Sequence, residues 1–249
     1  MRDAIAVRGL HKSYGEMGVL GRIDLKVAPG EIVALFGPNG CGKTTLMDIL
    51  AGLVKQEKGS VAVEGRDAFA CSYLTQNYRD SLLPWLRVRG NLGFPLRLRG
   101  HTKGQVADAV QAIADLSPVR LNLDAYPYQL SGGQQQILAF LRALITKPSI
   151  LLLDEPFSAL DYENTLAMRT LLQRYWQEHR PAVLAITHDI EEAVHVASRI
   201  LILSRKPSRI VRVVRNPSPY PRPPSFLASA GFKKAKDNAL SAFLAGVSL

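Results

Sequence analysis

Apolar and polar positions alternate with a period of two through the first 36 residues. IAVRGL, VLGRIDLKV and EIVALF read as short strands, divided by the turn pairs Tyr14-Gly15 and Pro29-Gly30. Beyond residue 45 the period changes. TLMDILAGLV spaces its apolar residues as one helix face and stops at Lys55. GSVAVEG reads as a further strand. Residues 77–104 are rich in Pro, Gly and Arg and predict no regular element. GQVADAVQAIADL, residues 104–116, predicts an amphipathic helix. LSGGQQQILAFLRAL, residues 130–144, predicts another, with Ile137, Leu138, Leu141, Leu144 and Ile145 on one face and Lys147-Pro148 at its end.

The second half alternates strands with helices. SILLLDE and AVLAITHD are continuous apolar runs, the pattern of parallel strands buried on both faces. NTLAMRTLLQRYWQEH and EEAVHVASR read as helices and ILILSR as a strand. This order predicts an α/β core beside a smaller antiparallel sheet. PSPYPRPPS, residues 217–225, breaks the alternation and reads as a linker or extended tail.

The chain has 249 residues, of which 47% are hydrophobic, enough for one large domain or two small ones. Its net charge of +10 is uneven. Residues 205–236 hold nine Lys/Arg and no acid, while the remainder carries 22 basic against 21 acidic residues. The basic end is expected to be a solvated tail, with anionic lipid headgroups or a regulator as other partners. No nucleic-acid motif or aromatic interleaving accompanies it, so no nucleic acid is expected. Two cysteines, Cys41 and Cys71, make no disulfide framework and favour a reducing compartment. MRDAIAVRGL lacks the apolar run of a secretory signal, and no stretch approaches the ~18 apolar residues of a membrane span. The chain is expected to be soluble by itself and to dock on a membrane protein.

GPNGCGKTT, residues 37–45, lies between the strand IVALF and a helix and fits the Walker A pattern G-x-x-x-x-G-K-S/T. Gly37, Gly40 and Gly42 let the backbone curl so that N–H groups face phosphates, and the helix that follows adds its positive end. Pro38, Asn39, Cys41 and Thr45 complete the loop, Cys41 as a small tolerated residue. Lys43 suits the β- and γ-phosphates, and the Thr44 hydroxyl suits Mg²⁺. ILLLDEP, residues 150–156, delivers Asp154 and Glu155 at a strand's carboxyl end. Asp154 suits a metal held through water, and Glu155 suits a general base.

With these pieces in place the chain resembles the nucleotide-binding subunit of an ATP-binding cassette (ABC) transporter over nearly all of residues 4–205. Gln76 in LTQN matches the Q-loop glutamine. LSGGQ, residues 130–134, matches the signature motif. SALD, residues 158–161, matches the D-loop, His188 in THD the switch histidine, and Tyr14 in KSYG the aromatic residue that stacks on adenine. The resemblance implies a P-loop NTPase core with an antiparallel β subdomain and a helical subdomain at about 77–145. The cassette would occupy residues 1–215 and the tail 216–249.

The resemblance also implies roles. Two subunits are expected to pair head to tail, so that Ser131, Gly132, Gly133 and Gln134 of one meet the ATP held by the other. Glu155, His188 and Gln76 would be catalytic, Thr44, Gln76 and Asp154 would hold Mg²⁺, and Asp161 would link the two sites. The expected partners are a second ATP-binding subunit, transmembrane permease subunits and a solute-binding protein, at the cytoplasmic face of the membrane.

QNYRDSLLPWLRVRG, YPYQLSGGQ and ILILSRKPSRIV further resemble the nitrate/sulfonate/taurine importers. A small anion is the expected cargo. Leu82, Leu83, Pro84 and Trp85 would form the groove for the permease's coupling helix, the other reading of Trp85 being a core residue. Ile137 stands where relatives carry Arg, and Ile137→Arg is expected to raise turnover. The alternatives are a soluble ABC ATPase of DNA repair or chromosome structure, a translation-type ABC protein, a subunit of another transport class, and a cassette that binds ATP without turnover. Only 88 positions separate Lys43 from Ser131, too few for a coiled-coil insertion, and a single cassette argues against the translation class.

Overall fold

The computed structural model describes residues 3–64 and 70–247. Strands β1 (Ile5–Tyr14), β2 (Met17–Val27) and β4 (Lys58–Val63) form an antiparallel sheet in the order β2-β1-β4. A second sheet has the order β5-β6-β7-β3-β8-β9, from β3 (Ile32–Phe36), β5 (Cys71–Leu74), β6 (Ile150–Asp154), β7 (Ala182–Thr187), β8 (Arg199–Leu203) and β9 (Ile210–Arg215). Its strands are parallel except β9. The fold class expected from the sequence is the one observed.

The continuous apolar strands are buried on both faces, because side chains alternate across a pleated strand. In β3, Ile32, Ala34 and Phe36 face one core, and Val33 and Leu35 face the other. The second core lies towards the antiparallel sheet and α1 (Lys43–Leu50). The first lies towards the other helices: α2 (Tyr78–Ser81), α3 (Val88–Leu98), α4 (Lys103–Asp115), α5 (Gly132–Leu144), α6 (Tyr162–His179), α7 (Ile190–Val196) and α8 (Ala230–Val247). Among the described residues no helix is long and apolar enough to cross a membrane.

Residues 77–104 are more regular than expected, since α3 forms there around Pro95. A fully buried Asn91 organises the preceding loop. Its amide donates to Leu83 O at 3.0 Å and Leu86 O at 2.9 Å, and its Oδ1 accepts from Leu83 N at 2.8 Å. This clamp buries Leu82 but turns Trp85 outward at 70% exposure, so Trp85 is not a core residue.

Residues 216–247 are not a solvated tail. Phe232, Ala235 and Ala239 of α8 are buried, and Phe243 packs edge-on to Phe36, the last residue of β3, at 4.9 Å. Arg222 is 2% exposed. Its guanidinium donates to Val194 O at 2.9 Å, Ala197 O at 2.8 Å and Ser218 O at 2.8 Å. It also lies over the Tyr220 ring at 4.3 Å. The cation therefore binds the carbonyl end of α7, where unpaired C=O groups await donors. Gln173 of α6 fixes the Arg222 backbone from both sides, accepting at 2.7 Å and donating at 3.2 Å. The last helix packs on its own chain.

Candidate active site

Strand register brings the predicted chemistry to one edge. Phe36 pairs with Thr187, and Asp154 with Ile186, so the residues that follow β3, β6 and β7 emerge side by side. This is the carboxyl edge, where parallel sheets bind ligands. A cleft of about 520 Å³ opens there. The loop after β3 contributes Asn39, Gly40, Gly42, Lys43, Thr44 and Thr45. Asp154 and Glu155 come from β6, His188 from β7, Gln76 from the end of β5, and Tyr14 from β1.

The loop's conformation needs its glycines. Gly42 has φ +106°, and a Cβ there would meet Val19 Cγ1 at 2.8 Å. A side chain is thus excluded by both backbone and space. No side chain caps α1 and its first turn holds no acid, which leaves its leading N–H groups for an anion. Lys43 is buried, its Nζ donating to Gly37 O at 2.9 Å and Pro38 O at 3.0 Å. Cys41 does not line the cleft. It is buried towards the core, and that burial pushes its thiol pKa up, away from reactivity.

Asp154 is buried, and neither carboxylate oxygen has a hydrogen-bond partner among the described residues. Burial is the main cause that pushes its pKa up to about 6, and the Thr44 hydroxyl opposes the shift. A buried carboxylate left without a donor fits a divalent cation beside Thr44 and Gln76.

Glu155 sits in the left-handed region at φ +50°, a strained conformation for a residue with a side chain. Its N–H donates to Ile186 O at 3.1 Å. Its carbonyl accepts from Ser158 Oγ at 3.1 Å and Gln136 Nε2 at 3.2 Å. The carboxylate so aimed lies 3.3 Å from His188 Nδ1. His188 leads into α7, which Asp189 caps by accepting from Glu191 N at 2.8 Å. Buried Arg169 of α6 holds that helix through Asp189 at 3.4 Å and Glu192 at 3.7 Å.

Ser131, Gly132, Gly133 and Gln134 do not line this cleft. They form the start of α5, where a capping box ties Ser131 to Gln134. Ser131 N donates to Gln134 Oε1 at 3.0 Å, and Ser131 Oγ accepts from Gln134 N at 3.3 Å. The hydroxyl oxygen accepts within its own turn, which leaves its proton and the glycine N–H groups as donors. Asp161 also lies outside the cleft. It caps α6, accepting from Asn164 N at 2.8 Å, and that bond holds its pKa down.

Met17, Val19 and Lys206 line the cleft without having been expected there. The loop after β8 is stapled to β2, with Ser208 N donating to Val19 O at 3.0 Å and Gly21 N donating to Ser208 O at 2.9 Å. This brings Lys206 to within 3.8 Å of Met17 Sδ. Nothing local in SRKPS signals the placement, because it arises from pairing across the chain.

The profile of the ABC transporter family matches residues 20–158, more than half of the chain. The chain belongs to the ABC transporter family. The cassette is an ATPase of that family. An aliphatic sulfonates import ATP-binding protein of Burkholderia cenocepacia is 36% identical to it over 244 residues, covering 98% of this chain and 73% of the relative. A taurine import ATP-binding protein of Shigella boydii is 39% identical over 211 residues, covering 83% of this chain and 82% of the relative. Among solved structures, an ATP-binding cassette captured as a dimer after hydrolysis, with ADP and Pi bound, superposes with a TM-score of 0.77. It is 27% identical, and the match covers 85% of this cassette and 98% of that chain.

Proposed function

We propose that this cassette is the ATP-hydrolysing subunit of an importer for a small anion, of the sulfonate, taurine or nitrate kind. It would sit at the cytoplasmic face of the membrane and work as a head-to-tail homodimer with permease subunits and a solute-binding protein. The observation that carries this reading is identity of 36–39% to subunits named for sulfonate and taurine import, over 98% and 83% of the chain. The exposed Trp85 supports it. Two residues before it, Leu83 lines a groove with Phe94, Leu98 and Arg142, and grooves with apolar walls are what amphipathic helices dock into.

In this reading the N–H groups of the loop 37–45 cradle the phosphates, and Lys43 turns from its carbonyl partners to the β- and γ-phosphates. Asp154, Thr44 and Gln76 would hold Mg²⁺, which when bound spreads the charge of those phosphates. Glu155 takes a proton from water as its oxygen bonds to the γ-phosphorus. The bond from that phosphorus to the bridging oxygen breaks, leaving ADP and phosphate. His188 keeps the Glu155 carboxylate aimed and reaches the γ-phosphate. Gly132 and Gly133 of the partner subunit supply donors for the charge that develops there. Tyr14 stacks on the base.

The test is isolation of the tagged protein from detergent-solubilised membranes. A multi-span permease should co-purify, and a sulfonate-loaded solute-binding protein should stimulate ATP hydrolysis in the reconstituted complex. Recovery without any permease, or equal hydrolysis with and without the loaded binding protein, contradicts the import reading.

A further inference from the structure

Gln136 is five positions beyond Ser131 on α5 and only 2% exposed. Both ends of its amide are spent on one loop. Nε2 donates to Glu155 O at 3.2 Å, and Oε1 accepts from Ala159 N at 2.9 Å. One turn earlier, Gly133 lets the same loop lie close. A Cβ there would stand 3.3 Å from Leu160 Cδ2 and 3.6 Å from Ala159 O. The start of α5 therefore rests on residues 155–160, and Gln136 pins the contact. That loop holds Glu155 in its left-handed conformation and so sets where the carboxylate points.

We propose that Gln136 is a positioning residue that ties the glycine end of α5 to the general base of its own chain. The proposal rests on the reading above, in which Glu155 is the base and the glycine N–H groups meet the partner's nucleotide. On that reading α5 touches one nucleotide and Glu155 serves the other. Gln136 then bonds the helix that meets one site to the loop that serves the other inside a single subunit. Displacing a base by about 1 Å is enough to cost ~100-fold in rate. Loss of this bracket should therefore lower kcat and weaken cooperativity between the sites while leaving ATP affinity intact.

The test uses Gln136→Glu and Gln136→Leu in the full-length protein, with turnover and fluorescent-ATP binding measured from about pH 6.5 to about pH 9. A protonated glutamic acid offers one donor and one acceptor, as the amide does, and its ionised form offers acceptors only. Burial places the titration of such a group within this range. Gln136→Glu should keep turnover near the parent's at the acidic end and lose roughly 10- to 100-fold as pH rises, at constant ATP affinity. Gln136→Leu should be slow at every pH, with a lowered Hill coefficient. Gln136→Leu turning over at the parent rate, a Gln136→Glu profile superimposable on the parent's, or turnover lost only in step with ATP binding overturns the proposal. Glu155→Gln measured alongside separates the two readings. Parent-rate turnover in Glu155→Gln overturns the base assignment and this proposal with it. An inactive Glu155→Gln beside a parent-rate Gln136→Leu overturns this proposal alone.

Discussion

His188 Nδ1 stands 3.3 Å from the Glu155 carboxylate, although 33 residues separate them in the chain. Adjacent parallel strands create the contact, and the strained backbone of Glu155 completes it. His188→Ala should therefore lower kcat by about 100-fold or more while ATP affinity changes only a few-fold. Single-turnover hydrolysis beside equilibrium binding checks this. A loss confined to binding would assign the histidine to the ground state alone.

Asp154 supplies a pH dependence. Its pKa is raised from 3.8 to about 6, so folding favours the protonated acid. Its contribution to stability is full below about pH 4 and is lost as pH rises through about 6. Mg²⁺ requires the ionised form. The thermal stabilisation given by MgATP over ATP alone should shrink as pH falls through about 6. Asp154→Asn should raise the stability of the nucleotide-free protein at neutral pH by ~1–2 kcal/mol and abolish the Mg²⁺-dependent gain. Thermal melts across pH, with and without Mg²⁺, read both effects.

Ile137 is 1% exposed in the core shared with the sheet. The expectation that Ile137→Arg raises turnover is replaced by its opposite. The guanidinium would enter a buried site now filled by an apolar side chain, costing at least ~3 kcal/mol. Urea denaturation should show a lower midpoint, and turnover per folded molecule should not rise.

Lys206 is exposed at the mouth of the cleft. Lys206→Ala should weaken ATP binding by roughly 3- to 10-fold and flatten its salt dependence, as expected for one screened cation near a triphosphate. Titrations at two ionic strengths decide it. Identical salt slopes would remove Lys206 from the site.

Much of the fold was legible in the sequence because its strands obey simple rules. Residues 150–153 and 182–186 are apolar at every position because helices cover one face and the second sheet with α1 the other. The nucleotide loop was legible because Gly42 and Lys43 meet requirements that few other residues meet. Three features were not legible. The helix α3 was hidden by Pro95 and by the polar Asn91, whose amide is consumed inside the fold. The edge strand β9 carries Arg212 and Arg215 and has no continuous apolar run. Arg222 reads as a solvated charge, yet it is buried because the carbonyls ending α7 accept its protons. Pairing of that kind joins distant positions, and local pattern does not record it.

The Arg222 contact makes the C-terminal segment part of the cassette's stability. Arg222→Ala should cost about 2–4 kcal/mol, since several buried carbonyls lose their donors. Arg222→Lys should recover little of it, because the planar fork that spans those carbonyls is missing. Calorimetric unfolding of the full chain measures both.

The central claim is that two cassettes sandwich ATP and that Glu155 is the base that cleaves it. Glu155→Gln, incubated with MgATP and examined by sedimentation with counted nucleotide, tests it most directly. The account predicts a stable dimer that holds two unhydrolysed ATP molecules. A protein that stays monomeric at saturating ATP, or that turns over at the parent rate, contradicts it.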